Sequence, residues 1–180
     1  MKRPILDIDA LRAKAVSGQE ILRGVSLMVG PGEVHGLVGE SGAGKTSIAK
    51  AVLGVLPGTI KMTGGSIRFD GTELIGAPRG TLEKLLGTDI ALIPQDPLTA
   101  LNPSRRIGAQ LTDALRLKAK YSKAKATRIA SDLLEDVHLT DTKRVLRAYP
   151  HELSGGMRQR VLIASAFALK PRLISRRICF

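Results

Sequence analysis

Gly39-Glu40-Ser41-Gly42-Ala43-Gly44-Lys45-Thr46 fits the pattern G-x-x-x-x-G-K-[ST] and decides how the rest of the chain is read. A polyphosphate needs several backbone N–H donors converging on it. Glycines supply the tight turns and the close approach that this requires. The run after the loop, Gly44 to Leu56, carries Ile48, Ala49, Val52 and Leu53 at helical spacing and is expected to be a helix closed by Pro57-Gly58. Its first N–H groups and its dipole would add to the pull on an anion. Before the loop, Val34–Val38 is a short apolar run that predicts a buried strand. In that strand–loop–helix context Gly39, Glu40, Ser41, Gly42, Ala43, Gly44, Lys45, Thr46 and Ser47 are the candidate phosphate-contacting residues. Lys45 would reach the outer phosphates, and the Thr46 hydroxyl would ligate Mg²⁺.

Composition bounds what such a loop can serve. A chain of 180 residues suits one domain with room for a subdomain, and 43% hydrophobic with 24% charged residues is ordinary for a globular protein. The longest stretch free of Asp, Glu, Lys and Arg, Ala51–Ile60, is too short to cross a membrane. The start, Met1 to Asp7, meets an acid too early for a signal-peptide core. A single cysteine, Cys179, excludes an internal disulfide framework and fits a reducing compartment, so a cytoplasmic location is expected. The net charge of +12 is uneven: residues 1–104 carry +1 and residues 105–180 carry +11. Nucleic acid, anionic lipid and acidic proteins all suit such a half, and so does a plain solvated helical face. Aromatics are 3% and none interleaves with the basic clusters, which argues against a stacking platform for single strands.

The pattern changes along the chain. Ile5–Asp9, Ile21–Val29, Ser66–Phe69 and Asp89–Ile93 read as strands, with turns at Ser17-Gly18, Pro31-Gly32 and Asp70-Gly71, and Leu82–Leu86 reads as a short helix. Then Ile107–Lys120, Ser122–Val137 and Asp141–Ala148 read as helices, the second with Ile129, Leu133, Leu134 and Val137 on one face. Ser154 opens a last helix that ends near Leu169, before Pro171. His35 reads as structural, and His138 and His151 have no partners at metal-ligand spacing.

Two further segments sharpen the reading. Leu153-Ser154-Gly155-Gly156-Met157-Arg158-Gln159-Arg160 resembles the signature sequence of ATP-binding-cassette (ABC) ATPases. Ser154 is a good N-cap there, and the two glycines leave N–H groups open to an anion. Ile93-Pro94-Gln95-Asp96-Pro97-Leu98-Thr99-Ala100-Leu101-Asn102-Pro103 resembles the glutamine loop of the same family, in the form of its peptide and nickel importer branch. The resemblance covers essentially Ile5 to Ile174. It implies an α/β fold: a P-loop nucleotide core of the cassette type over residues 1–174, with an N-terminal antiparallel β portion and a helical subdomain at about 97–153. It also implies ATP and Mg²⁺ as cofactors, with Gln95 contacting the metal and the attacking water. Ser154, Gly155, Gly156 and Gln159 would meet a second subunit's nucleotide in a head-to-tail dimer. The implied partners are that second ATP-binding subunit and transmembrane permease subunits at the inner face of the cell membrane, with no direct nucleic-acid role.

Two departures from the family pattern stand out. No aromatic residue lies near Ala15, where an adenine-stacking side chain is expected. And Pro171-Arg172-Leu173-Ile174 begins an apolar strand that should lead into Ala-Asp-Glu, whereas Ser175-Arg176-Arg177 stands there instead. Arginine neither ligates a cation nor acts as a base near neutral pH, so hydrolysis is expected to be incomplete. Ser-Arg-Arg encoded AGC CGA CGA reads Ala-Asp-Glu one base later, so residues 175–180 read as an aberrant, frameshifted tail on a cassette incomplete at its C-terminus. The alternatives are a soluble ABC-type DNA-repair or chromosome ATPase and a non-functional fragment.

Overall fold

Leu6, Ile8, Leu11 and Ala13 are all buried, although the step from Ile8 to Leu11 breaks the period of two that a flat strand would show. In the computed structural model, which describes residues 3–40, 42–94 and 96–176, the cause is a bulge. β1 (Leu6–Ala15) shifts register against β2 (Glu20–Val29) between Ile8 and Leu11, with Ala10 in a left-handed conformation at φ 44°. The Ala10 N–H, taken out of the ladder, donates to Ser26 Oγ at 2.9 Å. The bulge resets the alternation so that both halves of the strand bury the same face. β3 (Ile60–Phe69) pairs with the other side of β1, and the turn Asp70-Gly71 returns the chain into β4 (Thr72–Glu73). Both turn residues have positive φ, 47° and 76°, as a two-residue hairpin requires. The result is an antiparallel sheet in the order β2-β1-β3-β4, within the unit Met1–Leu86.

α1 (Lys45–Val52) and α2 (Arg79–Leu85) complete that unit. α1 stops earlier than Pro57-Gly58 suggested. Gly54 sits at φ 65°, its N–H bonds the Ala51 carbonyl at 3.0 Å, and the Val55 N–H bonds the Lys50 carbonyl at 2.9 Å. This left-handed glycine closure satisfies the last carbonyls and ends the helix on the spot.

Val34–Val38 differs more. It is not a buried strand: the segment has no regular structure, Val34 is 98% and Val38 95% exposed. A strand's hydrogen bonds lie outside itself, and among the described residues no other strand pairs with this one. Apolar composition alone could not supply that partner.

The second unit is Gly87–Phe180. β5 (Ile90–Ile93) and β6 (Leu173–Arg176) pair in parallel, Ile90 opposite Leu173 and Ile93 opposite Arg176. Ser175 and Arg176 thus continue the strand, while Arg177–Phe180, the rest of the expected aberrant tail, lie outside the described residues. Between the two strands run α3 (Pro97–Ala100), α4 (Ile107–Leu117), α5 (Lys123–Asp136), α6 (Thr142–Arg147), a 3₁₀ turn (Pro150–Glu152) and α7 (Gly155–Phe167). Their starts are written locally. Ser122 caps α5, Asp141 caps α6 and Ser154 caps α7, each side-chain oxygen accepting a backbone N–H at 3.2–3.3 Å. α4 buries Ile107, Leu111 and Leu115, and α5 buries Ala126, Ala130 and Leu134, both at a spacing of four. These residues join Leu139, Val145, Leu153 and Val161 in the cores of this unit.

Candidate functional site: a phosphate loop and a glycine-capped helix

The first part of the site is the loop before α1. Gly44 is its structural pivot: φ is 85°, and an added Cβ would lie 2.8 Å from the Ile21 carbonyl oxygen and from Leu22 Cδ2 of β2. Only glycine satisfies both conditions, so β2 itself shapes the loop. Gly42 also has positive φ, 87°, and the Ala43 N–H bonds the Glu40 carbonyl at 3.2 Å. No side chain caps the start of α1, and its first turn carries no acid. The positive end of the helix, with the N–H groups of Lys45, Thr46 and Ser47, is therefore left for an anion. Lys45 Nζ donates to the Gly39 carbonyl at 2.5 Å and to the Glu40 carbonyl at 2.7 Å, so the ammonium lies across the loop it would serve. Gly39, Glu40, Gly42, Ala43, Gly44, Lys45, Thr46 and Ser47 are thus brought together on one loop and helix start, and Ser41 lies outside the described residues.

Glu33 anchors the approach to this loop. It accepts the Gly30 N–H at 2.8 Å and faces His35 Nε2 at 2.9 Å. The Gly30 N–H first, and His35 second, hold its carboxyl below the ordinary carboxylate range. His35 lies in an exposed segment rather than in or beside the buried strand expected for it.

The other unit holds a separate candidate segment, at the start of α7. The Tyr149 N–H donates to Glu152 Oε2 at 2.6 Å, and the Tyr149 ring stacks on His151 with centroids 5.7 Å apart and the Arg106 guanidinium 5.6 Å from its own. These contacts fix the turn that delivers Ser154, whose Oγ accepts the Met157 N–H at 3.3 Å. Gly155 and Gly156 follow, both exposed, neither at positive φ, and among the described residues nothing lies within 4 Å of a Cβ added to either. Gln159 is half-buried one turn on. Gln95, expected to contact the metal and the attacking water, lies outside the described residues.

Sequence reasoning missed the cations beside the signature helix. An open cavity of about 380 Å³ adjoins Ser154 and Gly156 and is also lined by His138, Asp141, Arg144 and Arg160. Arg160 Nη1 donates to the His138 carbonyl at 3.0 Å, and Arg144 Nε faces Asp141 at 3.3 Å. Arg158 Nε is buried with no hydrogen-bond partner among the described residues. The Arg160 contact joins positions 22 residues apart, so no local pattern announced it.

A family model described as ABC transporter matches residues 22–175, a span that takes in both glycine segments. The chain belongs to the ABC transporter family. Among its curated relatives in that family, the probable D,D-dipeptide transport ATP-binding protein DdpD of Escherichia coli (strain K12) is 43% identical over 97% of this chain and 54% of its own. The oligopeptide transport ATP-binding protein OppD of Haemophilus influenzae is 37% identical over 95% of this chain and 54% of its own. The chain thus spans about half the length of the curated relatives it matches. Of solved structures, the dimeric bacterial ABC transporter cassette MJ0796 superimposes with a TM-score of 0.80 at 24% identity, over 95% of this chain and 72% of its own, a likeness that bears on the fold. An ATP-binding subunit of an ABC transporter gives 0.74 at 28% identity, over 96% and 65%. The mixed α/β architecture, an antiparallel sheet followed by a helical portion, is the cassette fold. Among the described residues no helix is long and apolar enough to cross a membrane.

Proposed function

We propose that this chain is the ATP-binding portion of an ABC importer for peptides or similar small solutes. The observation that carries the reading is the loop at Gly39–Thr46: a glycine pivot imposed by β2, an uncapped helix start with no acid in its first turn, and a lysine lying across the loop. That set fits a nucleotide's phosphates. Among the described residues no group of three His, Cys, Asp or Glu could hold a metal. Mg²⁺ would therefore rest on the phosphates, the Thr46 hydroxyl and Gln95, neutralising charge there. The names of the relatives favour peptide cargo.

Gly155 and Gly156 support a composite site completed by a second subunit. Glycine costs up to about 1 kcal/mol relative to alanine inside a helix, and nothing among the described residues requires it at either position. Open backbone N–H groups at a helix start suit close approach of a phosphate carried by another subunit. In this reading Ser154, Gly155, Gly156 and Gln159 contact nucleotide in trans. The helical stretch of about 97–153 forms the subdomain within a 1–174 cassette, and the assembly docks on permease subunits at the inner face of the membrane. Arg176 and Arg177 stand where the family's acids are expected, so the chain binds ATP without turning it over competently.

Calorimetric titration of the full chain with MgATP, alongside Lys45→Ala, tests this. Saturable binding that Lys45→Ala weakens about tenfold or more is expected, since charge-assisted hydrogen bonds are lost. Equal affinity of the two proteins refutes the loop assignment. Phosphate release sensitive to Lys45→Ala would refute the claim that turnover is incomplete.

A further inference from the structure

We infer that the tip of the α4–α5 hairpin is a contact surface for an anionic lipid bilayer. α4 and α5 are joined by a short turn and pack through Leu111 and Ala130, and through Leu115 and Ala126. At and around that turn, Arg116, Lys118, Lys120, Lys123, Lys125 and Arg128 are all exposed. No acid interrupts the stretch from Asp113 to Asp132, and Asp113 is already bound to Arg105 at 2.7 Å. A cluster of this size next to a bilayer surface of negative potential is attracted with a strength that grows with each cation.

The turn is ordered in a way that presents these groups. The Lys118 N–H bonds the Ala114 carbonyl at 2.9 Å, and the Tyr121 N–H bonds the Leu115 carbonyl at 3.2 Å. Lys120 occupies a left-handed conformation at φ 57°, where glycine or asparagine would be less strained. Leu117, in the middle of the cations, is 68% exposed. An exposed leucine flanked in sequence by Arg116 and Lys118 gains from the boundary between headgroups and acyl chains, where its side chain leaves water while the charged groups stay at the phosphates.

Nucleic acid fits this tip less well. Its one aromatic, Tyr121, packs against the core formed by Leu115, Ala126 and Ala168, and Lys125 Nζ lies 3.8 Å from the ring centroid. That face is not open to a stacked base, and Leu117 has no role on a phosphodiester backbone. The inference stands apart from the nucleotide reading, because no residue of the Gly39–Thr46 loop takes part.

Vesicle sedimentation of the full chain tests it. With phosphatidylcholine vesicles containing about 30% phosphatidylglycerol, partition should be strong at low salt, weak at about 0.5 M NaCl, and near background on phosphatidylcholine alone. Replacing Lys118, Lys120, Lys123 and Lys125 together by Gln should lower partition at least about tenfold, with far-UV circular dichroism unchanged. Leu117→Ser should lower it about threefold or more with no change in charge. Lys143→Gln with Arg147→Gln, on α6, should have a much smaller effect, and Lys45→Ala none. Equal loss from the α6 pair, or no loss from the quadruple variant, overturns the assignment. Tighter binding to duplex DNA than to vesicles at matched phosphate and salt also overturns it, and would make the tip a nucleic-acid surface.

Discussion

Two glycine-bearing helix starts, one in each unit, carry glycine for opposite reasons. At α1, Gly44 is compelled from within: its φ is 85° and the Ile21 carbonyl occupies the space a Cβ would fill. At α7, Gly155 and Gly156 are compelled by nothing among the described residues, having ordinary φ and open space around them. The first glycine shapes a loop. The second pair keeps a surface bare. A glycine with an internal cause says little about ligands, whereas a glycine without one points outward to whatever approaches it.

Substitutions can break this contrast, and the largest effect belongs to Gly44→Ala. Strain at positive φ combined with a 2.8 Å contact to backbone should cost about 2–3 kcal/mol in urea unfolding, and MgATP binding should be lost with it. A stable, ATP-binding Gly44→Ala protein would remove the pivot from the account. Ser154→Ala deletes the α7 cap and should cost about 1 kcal/mol by the same assay, leaving the affinity of the monomer for ATP unchanged. Gly155→Ala and Gly156→Ala should run the other way, each raising stability by about 0.5 kcal/mol through higher helix propensity. Their cost should appear only in ATP-dependent dimerisation, read by analytical ultracentrifugation. Destabilisation by either would mean the chain itself needs those glycines.

The smallest effect concerns Glu33. Its carboxyl titrates below the ordinary value because the charged form accepts the Gly30 N–H and, next, meets His35. A depressed folded pKa stabilises the native state above the unfolded carboxylate pKa, and that contribution fades as pH falls through the folded value. An NMR titration should find Glu33 below a model glutamate, and His35→Ala should move it only part of the way back. A full return would show that His35, rather than the backbone donor, is the larger cause.

Much of this architecture was written locally. Ser154 marks the start of its helix in the sequence and Asp70-Gly71 marks its turn, because a cap or a tight turn is satisfied by atoms a few residues away, whereas the caps at Ser122 and Asp141 are shown by the structure. The phosphate loop was legible for the same reason. Pro57-Gly58 suggests a later end for α1, but Gly54 closes the last carbonyls first. The cations around the signature helix were invisible, since Arg160 is held by carbonyls 22 and 23 residues away.

Sequence by itself therefore determined the loop Gly39–Thr46, the helices of the second half and the family, all of which rest on short-range patterns. Only the tertiary structure decided that Gly44 is held by β2, that Gly155 and Gly156 face open space, and that Val34–Val38 is exposed chain rather than strand. A helix or a turn closes its hydrogen bonds within itself. A strand, and the space around a glycine, are set by residues that only folding brings near.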